Sequence, residues 1–214
     1  MRRLSPLLAL LLVTPAGAET LDCAAMKSTT RAFELAIDST DKSVGKDPYT
    51  LQIRRQVDRK ADKTIVYDIF SPEKFLRRTF NANGLLMEFL GAGDTTPRIA
   101  SYSIDTTKDY FGLGKPFDFA IVMKTPDGKV NSETNTSVSF DSNVNVELGG
   151  CSYTLTRIIE TSHGDVNGKA ATNRVELWYS RDLKTSLYSR LENGDGYVLE
   201  LRARDITTSF TPIE

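Results

Sequence analysis

Apolar and polar residues alternate with a period of two from about residue 31 onward, the pattern of strands that bury one face. The clearest alternating segments are residues 33–37, 49–57, 65–69, 117–123 and 144–148. Segments rich in Asn, Asp and Gly separate the strands and are typical of tight turns; they lie at residues 81–84, 126–128, 164–168 and 193–196. Regular spacing of strands and turns predicts an antiparallel meander of about ten to twelve strands.

A sheet with that many strands cannot stay flat and open, so it must close or fold over. We therefore predict a mainly β fold: an antiparallel meander curled into a half-barrel, a barrel or a two-layer sandwich. A short helix is expected near the N-terminus, in the segment "LDCAAMKSTTRAF" at residues 21–33. The longest connection, residues 106–116, is expected to form a helical turn or a lid.

The first 18 residues have the pattern of a secretory signal peptide. Arg2 and Arg3 give a positive start, an apolar run follows to Val13, and residues 16–18 read Ala-Gly-Ala. We expect residues 1–18 to be cleaved and residues 19–214 to form a single β-rich domain, periplasmic or secreted in a bacterium. No later segment is apolar over the roughly 20 residues that a membrane-spanning helix needs, so no transmembrane segment is expected in the mature chain.

Export changes how the two cysteines are interpreted. Cys23 and Cys151 are the only cysteines in the chain, and an even number in an oxidising compartment favours a disulfide. Cys151 begins the predicted strand "CSYTLTRII", so the bond would fasten the N-terminal segment to the sheet. The alternative is a pair of buried free thiols, which requires that the chain is not exported.

Composition and motifs exclude several function classes. The formal net charge is -1, which gives no electrostatic basis for nucleic-acid binding. His163 is the only histidine and lies in a predicted hairpin loop, so histidine-based metal sites are excluded and an exposed turn residue is the favoured interpretation. No nucleophile elbow, phosphate-binding loop or dinucleotide fingerprint is present. We predict no catalytic residue, no metal site, no cofactor and no enzymatic activity.

The segment 175–201 contains the only tryptophan, Trp178, and sorts into two faces. One face of the sheet is rich in Arg and Glu and includes Trp178 and Tyr188, as expected of a half-solvated antiparallel sheet. The other face is mostly apolar. We predict that any ligand site lies on this apolar face, at Leu177, Tyr179, Leu199 and Leu201.

The C-terminal segment 173–206 resembles the closing hairpins of uncharacterised secreted bacterial β-rich proteins. The match lies in a Trp-Tyr-Ser-x-Asp-Leu strand end at residues 178–183 and a Ser-Arg pair at residues 189–190. Some of these proteins are similar in architecture to LolA-like periplasmic lipoprotein carriers, whose curved half-barrel encloses an apolar cavity. This resemblance implies a carrier or binder of acyl chains or another amphiphile, and it transfers no catalytic residue.

Three hypotheses about function follow. The first is an exported, non-enzymatic binding or carrier module of the cell envelope for a hydrophobic or amphiphilic ligand such as a lipid. The second is a structural or interaction protein of the periplasm with no small ligand, which recruits an envelope protein through exposed sheet edges. The third, least favoured, is a hydrolase that uses two converging carboxylates.

Overall fold

A computed structural model describes residues 21–27, 31–71 and 74–213 of the chain. The predicted signal peptide lies outside these residues. Twelve strands follow one another along the chain: β1 Phe33–Lys42, β2 Tyr49–Arg59, β3 Lys63–Ser71, β4 Lys74–Asn81, β5 Leu86–Leu90, β6 Arg98–Tyr102, β7 Phe117–Lys124, β8 Val130–Leu148, β9 Cys151–Val166, β10 Lys169–Ser180, β11 Thr185–Asn193 and β12 Val198–Thr207. The helices are α1, Cys23–Met26, and α2, Tyr110–Leu113.

The strands form one closed antiparallel barrel in which each strand pairs with its neighbours in sequence. The ring is completed where β1 pairs with β12, with Leu35 opposite Ile206 and Ser39 opposite Leu201. The prediction of a mainly β meander is confirmed, and of the three predicted shapes the barrel is the one formed. The half-barrel of LolA-like carriers is not formed, because pairing of the first and last strands closes the sheet.

Both short helices begin at an aspartate that caps them. The Asp22 side chain accepts hydrogen bonds from the backbone N–H groups of Ala24 and Ala25 at the start of α1. At the start of α2, the Asp109 side chain accepts from the backbone N–H of Gly112. Such caps satisfy N–H groups that have no partner within the helix. The expected N-terminal helix and the helical turn within residues 106–116 are therefore both present.

The predicted disulfide between Cys23 and Cys151 is formed, with the two Cα atoms 5.4 Å apart. It fastens α1 to the start of β9. The β8–β9 turn beside it depends on Gly149, whose φ of +58° is in the left-handed region. A Cβ atom at this position would lie 2.4 Å from Leu21 and 2.5 Å from Ile206. The turn therefore packs directly against both the N-terminal segment and the last strand.

The hydrophobic core collects residues from α1, β1, β2 and β9, together with the turn between β10 and β11. Phe33, Leu35 and Val57 supply one side of it, and Tyr153 and Leu183 supply another; all five are completely buried. This packed core lies where the first two strands meet the last two and the start of β9. The core does not fill the space between the inner faces of the middle strands, which line a cavity.

His163 differs from its predicted position. It was expected in a hairpin loop, but β9 continues to Val166 and the turn consists of Asn167 and Gly168. The imidazole is exposed on the strand, with Nδ1 3.1 Å from the Thr172 hydroxyl. The long, paired register of β9 with both β8 and β10 extends the strand through a sequence that looks like a loop.

Candidate functional site

A cavity of about 510 Å³ lies within the barrel. This volume is within the range of about 300–1,000 Å³ that is usual for small-molecule sites. Its walls come mainly from inward-facing residues of β3, β4 and β6–β10, and α2 contributes residues at its edge. The pairing of Leu177 with Ile158 shows how neighbouring strands present side chains to the same inner face.

Most of the wall is apolar or aromatic. The apolar and aromatic lining residues are Val66, Phe80, Leu85, Leu86, Tyr102, Phe111, Phe119, Ile121, Ile158, Val175, Leu177 and Tyr179. Tyr102 and Phe119 form an aromatic pair with ring centroids 5.4 Å apart, and the Tyr102 hydroxyl donates to the carbonyl of Leu86 at 2.6 Å. The cavity is thus a mainly apolar compartment in which the Tyr102 hydroxyl already has a hydrogen-bond partner.

Phe111 of α2 closes part of the cavity. Its ring lies 5.7 Å from that of Phe117 and 6.3 Å from those of Phe140 and Tyr179, measured between centroids. Gly84 makes room for this ring, because a Cβ atom there would lie 3.3 Å from Phe111. The α2 segment is therefore packed as a cover over the aromatic wall.

Polar side chains fasten this cover at two points. Arg181 donates to the carbonyls of Phe111 and Gly112 at 2.8 and 3.1 Å. Asn81 and Asn83, in the turn after β4, both donate to the carbonyl of Thr106 at 3.0 and 3.1 Å. The cover is held by a few hydrogen bonds from the surface and by the insertion of a single aromatic ring.

The polar part of the cavity wall contains a charged cluster of Arg55, Asp68 and Arg78. Arg55 donates to both carboxylate oxygens of Asp68, at 2.5 and 3.1 Å, and Arg78 donates to the same carboxylate. Burial alone would raise the pKa of Asp68, but the two guanidinium groups hold it below its usual value. Arg55 also donates to the carbonyl and hydroxyl of Ser186 at 3.3 and 3.4 Å.

Two donors of this wall have no partner in the described part of the chain. They are Nε of Arg78 and the hydroxyl of Thr64, both buried. Arg78 is opposite Val66 and Thr64 is opposite Phe80 in the β3–β4 pairing, so the two donors lie diagonally on one inner face. Buried polar groups almost always have a hydrogen-bond partner, so two neighbouring exceptions on the inner face of β3 and β4 are unusual.

Glu160 presents a carboxyl group to the cavity from β9. Within the described ranges no salt bridge or hydrogen bond reaches this carboxyl group. Burial raises its pKa to about 7, because the charged form loses its hydration without gaining a cation. Near neutral pH the group is thus about half protonated and can donate or accept a hydrogen bond.

The four predicted ligand-site residues separate into two pairs. Leu177 and Tyr179 line the cavity, where burial raises the pKa of Tyr179 to about 12. Leu201 instead packs against the hydrophobic core, and Leu199 lies outside the cavity lining. The register explains the difference, since Leu199 and Leu201 pair with Asp41 and Ser39 of β1 on the packed side of the barrel.

Trp178 does not face the cavity. It is half-buried and packs against the hydrophobic core, and its neighbour Glu176 forms an ion pair with Arg157 at 2.9 Å. On the same outer surface, the Arg202 guanidinium lies 5.7 Å from the centre of the Tyr188 ring. These contacts are the stabilising cross-strand pairs expected of an outer sheet face.

Sequence reasoning did not find the polar part of the site. Arg55, Asp68 and Arg78 lie on three different strands and form one cluster only through the pairing of β2, β3 and β4. One signal was available: "IRRQV" and "FLRRT" place arginine at positions where alternation predicts the buried face. Buried arginines on adjacent strands require a shared carboxylate or a ligand.

Comparisons with known proteins identify no family. No protein-family model matches the chain, and no curated protein matches it. Several solved structures resemble it at low identity. The hypothetical lipoprotein YmcC from Escherichia coli is 8% identical, with 83% of this chain and 89% of that chain covered and a TM-score of 0.45.

Two further structures are similar at the same level. A protein from Parabacteroides distasonis, provisionally described as a lipoprotein, is 7% identical over 85% of this chain and 98% of that chain, with a TM-score of 0.43. A protein from Bacteroides fragilis, provisionally described as exported and with a YmcC-like fold, is 10% identical over 84% and 97%, with a TM-score of 0.42. We draw no functional argument from these likenesses.

None of the helices in the described part of the chain is both long and apolar enough to cross a membrane.

Proposed function

We propose that this protein is an exported binding or carrier module that holds a hydrophobic or amphiphilic ligand in the barrel cavity and releases it chemically unchanged. The single observation that carries the proposal is the cavity of about 510 Å³ with a mainly apolar lining. A barrel of this strand number can enclose either packed side chains or a ligand. Here the packed core occupies one side only, and the middle strands surround free space.

The cover over the cavity supports binding with exchange. Phe111 contacts the aromatic wall from a short segment that is fastened by Arg181 and the Asn81 and Asn83 amides. A ligand can enter if these few contacts open while the barrel strands stay paired. Such covers are drawn from the least stable parts of a fold, because they must open without global unfolding.

The site of action that we propose is the periplasm or the exterior of a bacterial cell. Two features support it: the signal-peptide pattern of residues 1–18 and the disulfide between Cys23 and Cys151. Disulfides persist in oxidising compartments and are rare in the cytosol. Export also brings the protein into contact with lipids and other amphiphiles of the envelope.

Filling the cavity with a larger side chain tests the proposal. Thr134 of β8 lines the cavity, and its neighbour Asn135 is exposed on the outside of the same strand. Thr134→Trp should weaken binding of a fluorescent single-chain amphiphile by about tenfold or more, because the indole occupies ligand volume. Asn135→Trp adds the same group outside and should leave the affinity unchanged.

Titration of the purified protein with the amphiphile, together with native mass spectrometry of the protein from its own host, provides the measurement. Failure of the wild-type protein to bind any amphiphile would overturn the proposal. Equal affinities for Thr134→Trp and Asn135→Trp would show that binding occurs outside the cavity. Recovery of a chemically altered ligand would contradict a carrier role and favour an enzyme.

A further inference from the structure

We propose that the cavity selects amphiphiles with an anionic headgroup, which pairs with Arg78 while the apolar tail lies along the aromatic wall. This inference rests on the proposed function and names the chemical class of its ligand.

The charge of the buried cluster is not balanced. Arg55 and Arg78 are two guanidinium groups, and Asp68 is the single carboxylate between them. Both Arg55 and Asp68 are almost completely buried, at 2% and 3% exposure. Removing an uncompensated charge from water is costly, so the net positive charge favours a second anion within the wall.

The geometry indicates where that anion binds. Arg55 uses its donors on Asp68 and Ser186, and it is committed to the protein. Arg78 gives one guanidinium nitrogen to Asp68, but its Nε has no partner, and 29% of its side-chain surface stays exposed while it lines the cavity. The Thr64 hydroxyl nearby also has no partner. The exposed part of the Arg78 side chain is what an anionic oxygen in the cavity can reach.

Glu160 does not supply this anion. It lines the cavity but forms no salt bridge with either arginine, and burial alone accounts for the high pKa of its carboxyl group. The Glu160 carboxylate instead acts on Tyr102 of β6. Burial and this carboxylate together raise the pKa of the Tyr102 hydroxyl. Glu160 thus leaves the positive charge of the two guanidinium groups unbalanced.

Ligands with the same tail and different headgroups test the inference. The wild-type protein is titrated with hexadecanoate, hexadecyl sulfate, hexadecanol and hexadecyltrimethylammonium below their aggregation concentrations. We expect the two anions to bind about 10- to 100-fold more tightly than the alcohol, since hydrogen bonds to charged groups are among the strongest in proteins. The cation should bind most weakly. Preference between carboxylate and sulfate distinguishes the two headgroup chemistries.

Two adjacent arginines provide a matched pair of variants. Arg78→Gln removes the inward guanidinium, and Arg77→Gln removes its neighbour on the outer face of β4, which pairs with Glu88 at 3.8 Å. Arg78→Gln should reduce the preference for anion over alcohol by about tenfold or more, because the anion loses a charged donor and hexadecanol loses only a donor to a neutral hydroxyl. Arg77→Gln should change neither affinity.

The outcomes separate the two proposals. Equal binding of all four ligands would overturn the headgroup inference and leave the proposed function standing. Binding of none would overturn the proposed function. If Arg78→Gln fails to fold, the headgroup series on the wild-type protein still tests whether the cavity prefers anions. A preference for the alcohol or the cation would contradict the inference directly.

Discussion

Two inward-facing arginines, Arg59 in the packed core and the partly exposed Arg78 in the cavity wall, have very different hydrogen-bond partners. Arg59 donates to the backbone carbonyls of Arg31, Asp182 and Met26, and its guanidinium lies 5.1 Å from the centre of the Phe33 ring. Arg78 shares one carboxylate with Arg55 and leaves Nε without a partner. Satisfaction of donors therefore distinguishes an arginine that builds the fold from one that is available to a ligand.

The same contrast extends to the regions around them. The core near Arg59 is joined to α1, the disulfide and the β10–β11 turn, and its large side chains are completely buried. The cavity near Arg78 keeps unpartnered polar groups in a low-dielectric setting, where they reduce the stability of the empty protein. A binding site and a stable core thus occupy adjoining regions of one barrel, which meet at Val66 and Phe80.

Replacing Arg59 should give the largest loss of stability. Arg59→Leu leaves three carbonyl groups without their donor, and each such loss costs roughly 1–3 kcal/mol, so we expect a decrease of about 3 kcal/mol or more in the free energy of unfolding. Urea unfolding measures it.

Arg78→Leu is the matched control for this comparison. It leaves Asp68 in a one-to-one pair with Arg55, so the free energy of unfolding should change by less than about 1 kcal/mol or increase. Equal destabilisation by the two variants would show that Arg78 is a structural arginine like Arg59, and the contrast between the two regions would fail.

Removing the disulfide should have the next largest effect. In a Cys23→Ser, Cys151→Ser double variant, the unfolded chain regains the freedom of a loop of 128 residues, and α1 is no longer fastened to β9. We expect a loss of about 2–4 kcal/mol, which urea unfolding measures. Adding a reductant should weaken the wild-type protein by a similar amount and leave the double variant unaffected; a reductant effect on the variant would contradict this account.

A smaller, pH-dependent effect should come from Glu160. In the folded protein its pKa is raised from 4.5 to about 7, so the folded state binds the proton more tightly than the unfolded chain. Its contribution to stability is present below about pH 4.5 and is lost as the pH rises through about 7. Glu160→Gln should therefore match the wild type at acidic pH and exceed it by about 1–3 kcal/mol above neutral pH.

The control for this pH series is Glu133→Gln, because Glu133 is exposed on β8. Urea unfolding across the pH range should show a constant small difference for this variant. A Glu160→Gln difference that does not vary with pH would mean that the carboxyl group has the same pKa in the folded and unfolded protein and is not desolvated in the cavity.

Much of the fold is encoded locally and could be read from the chain. Alternation and turn residues predicted the meander, because strands and turns depend on local sequence. The cysteine count predicted the bond between Cys23 and Cys151, because each cysteine has only the other as a partner. Face assignment also placed Leu177 and Tyr179 on the inner side of β10.

Other features depend on which strand pairs with which, and alternation does not specify this. Leu199 and Leu201 share the inward direction of Leu177, but β12 pairs with β1, and these residues lie on the packed side of the barrel rather than at the cavity. The arginine cluster likewise appears only when β2, β3 and β4 are adjacent. Strand alternation determines locally to which side of the sheet a side chain points. Which residues pack around that side chain depends on how the strands pair in the closed barrel.

Closure of the ring also fixes an order of events during synthesis. β1 finds its second partner only in β12, which is the last strand to be made and to emerge. Until then the first strand has an unpaired edge, and the half-built sheet can join other chains. Truncation of β12 would leave a sheet with two open edges, at β1 and at β11.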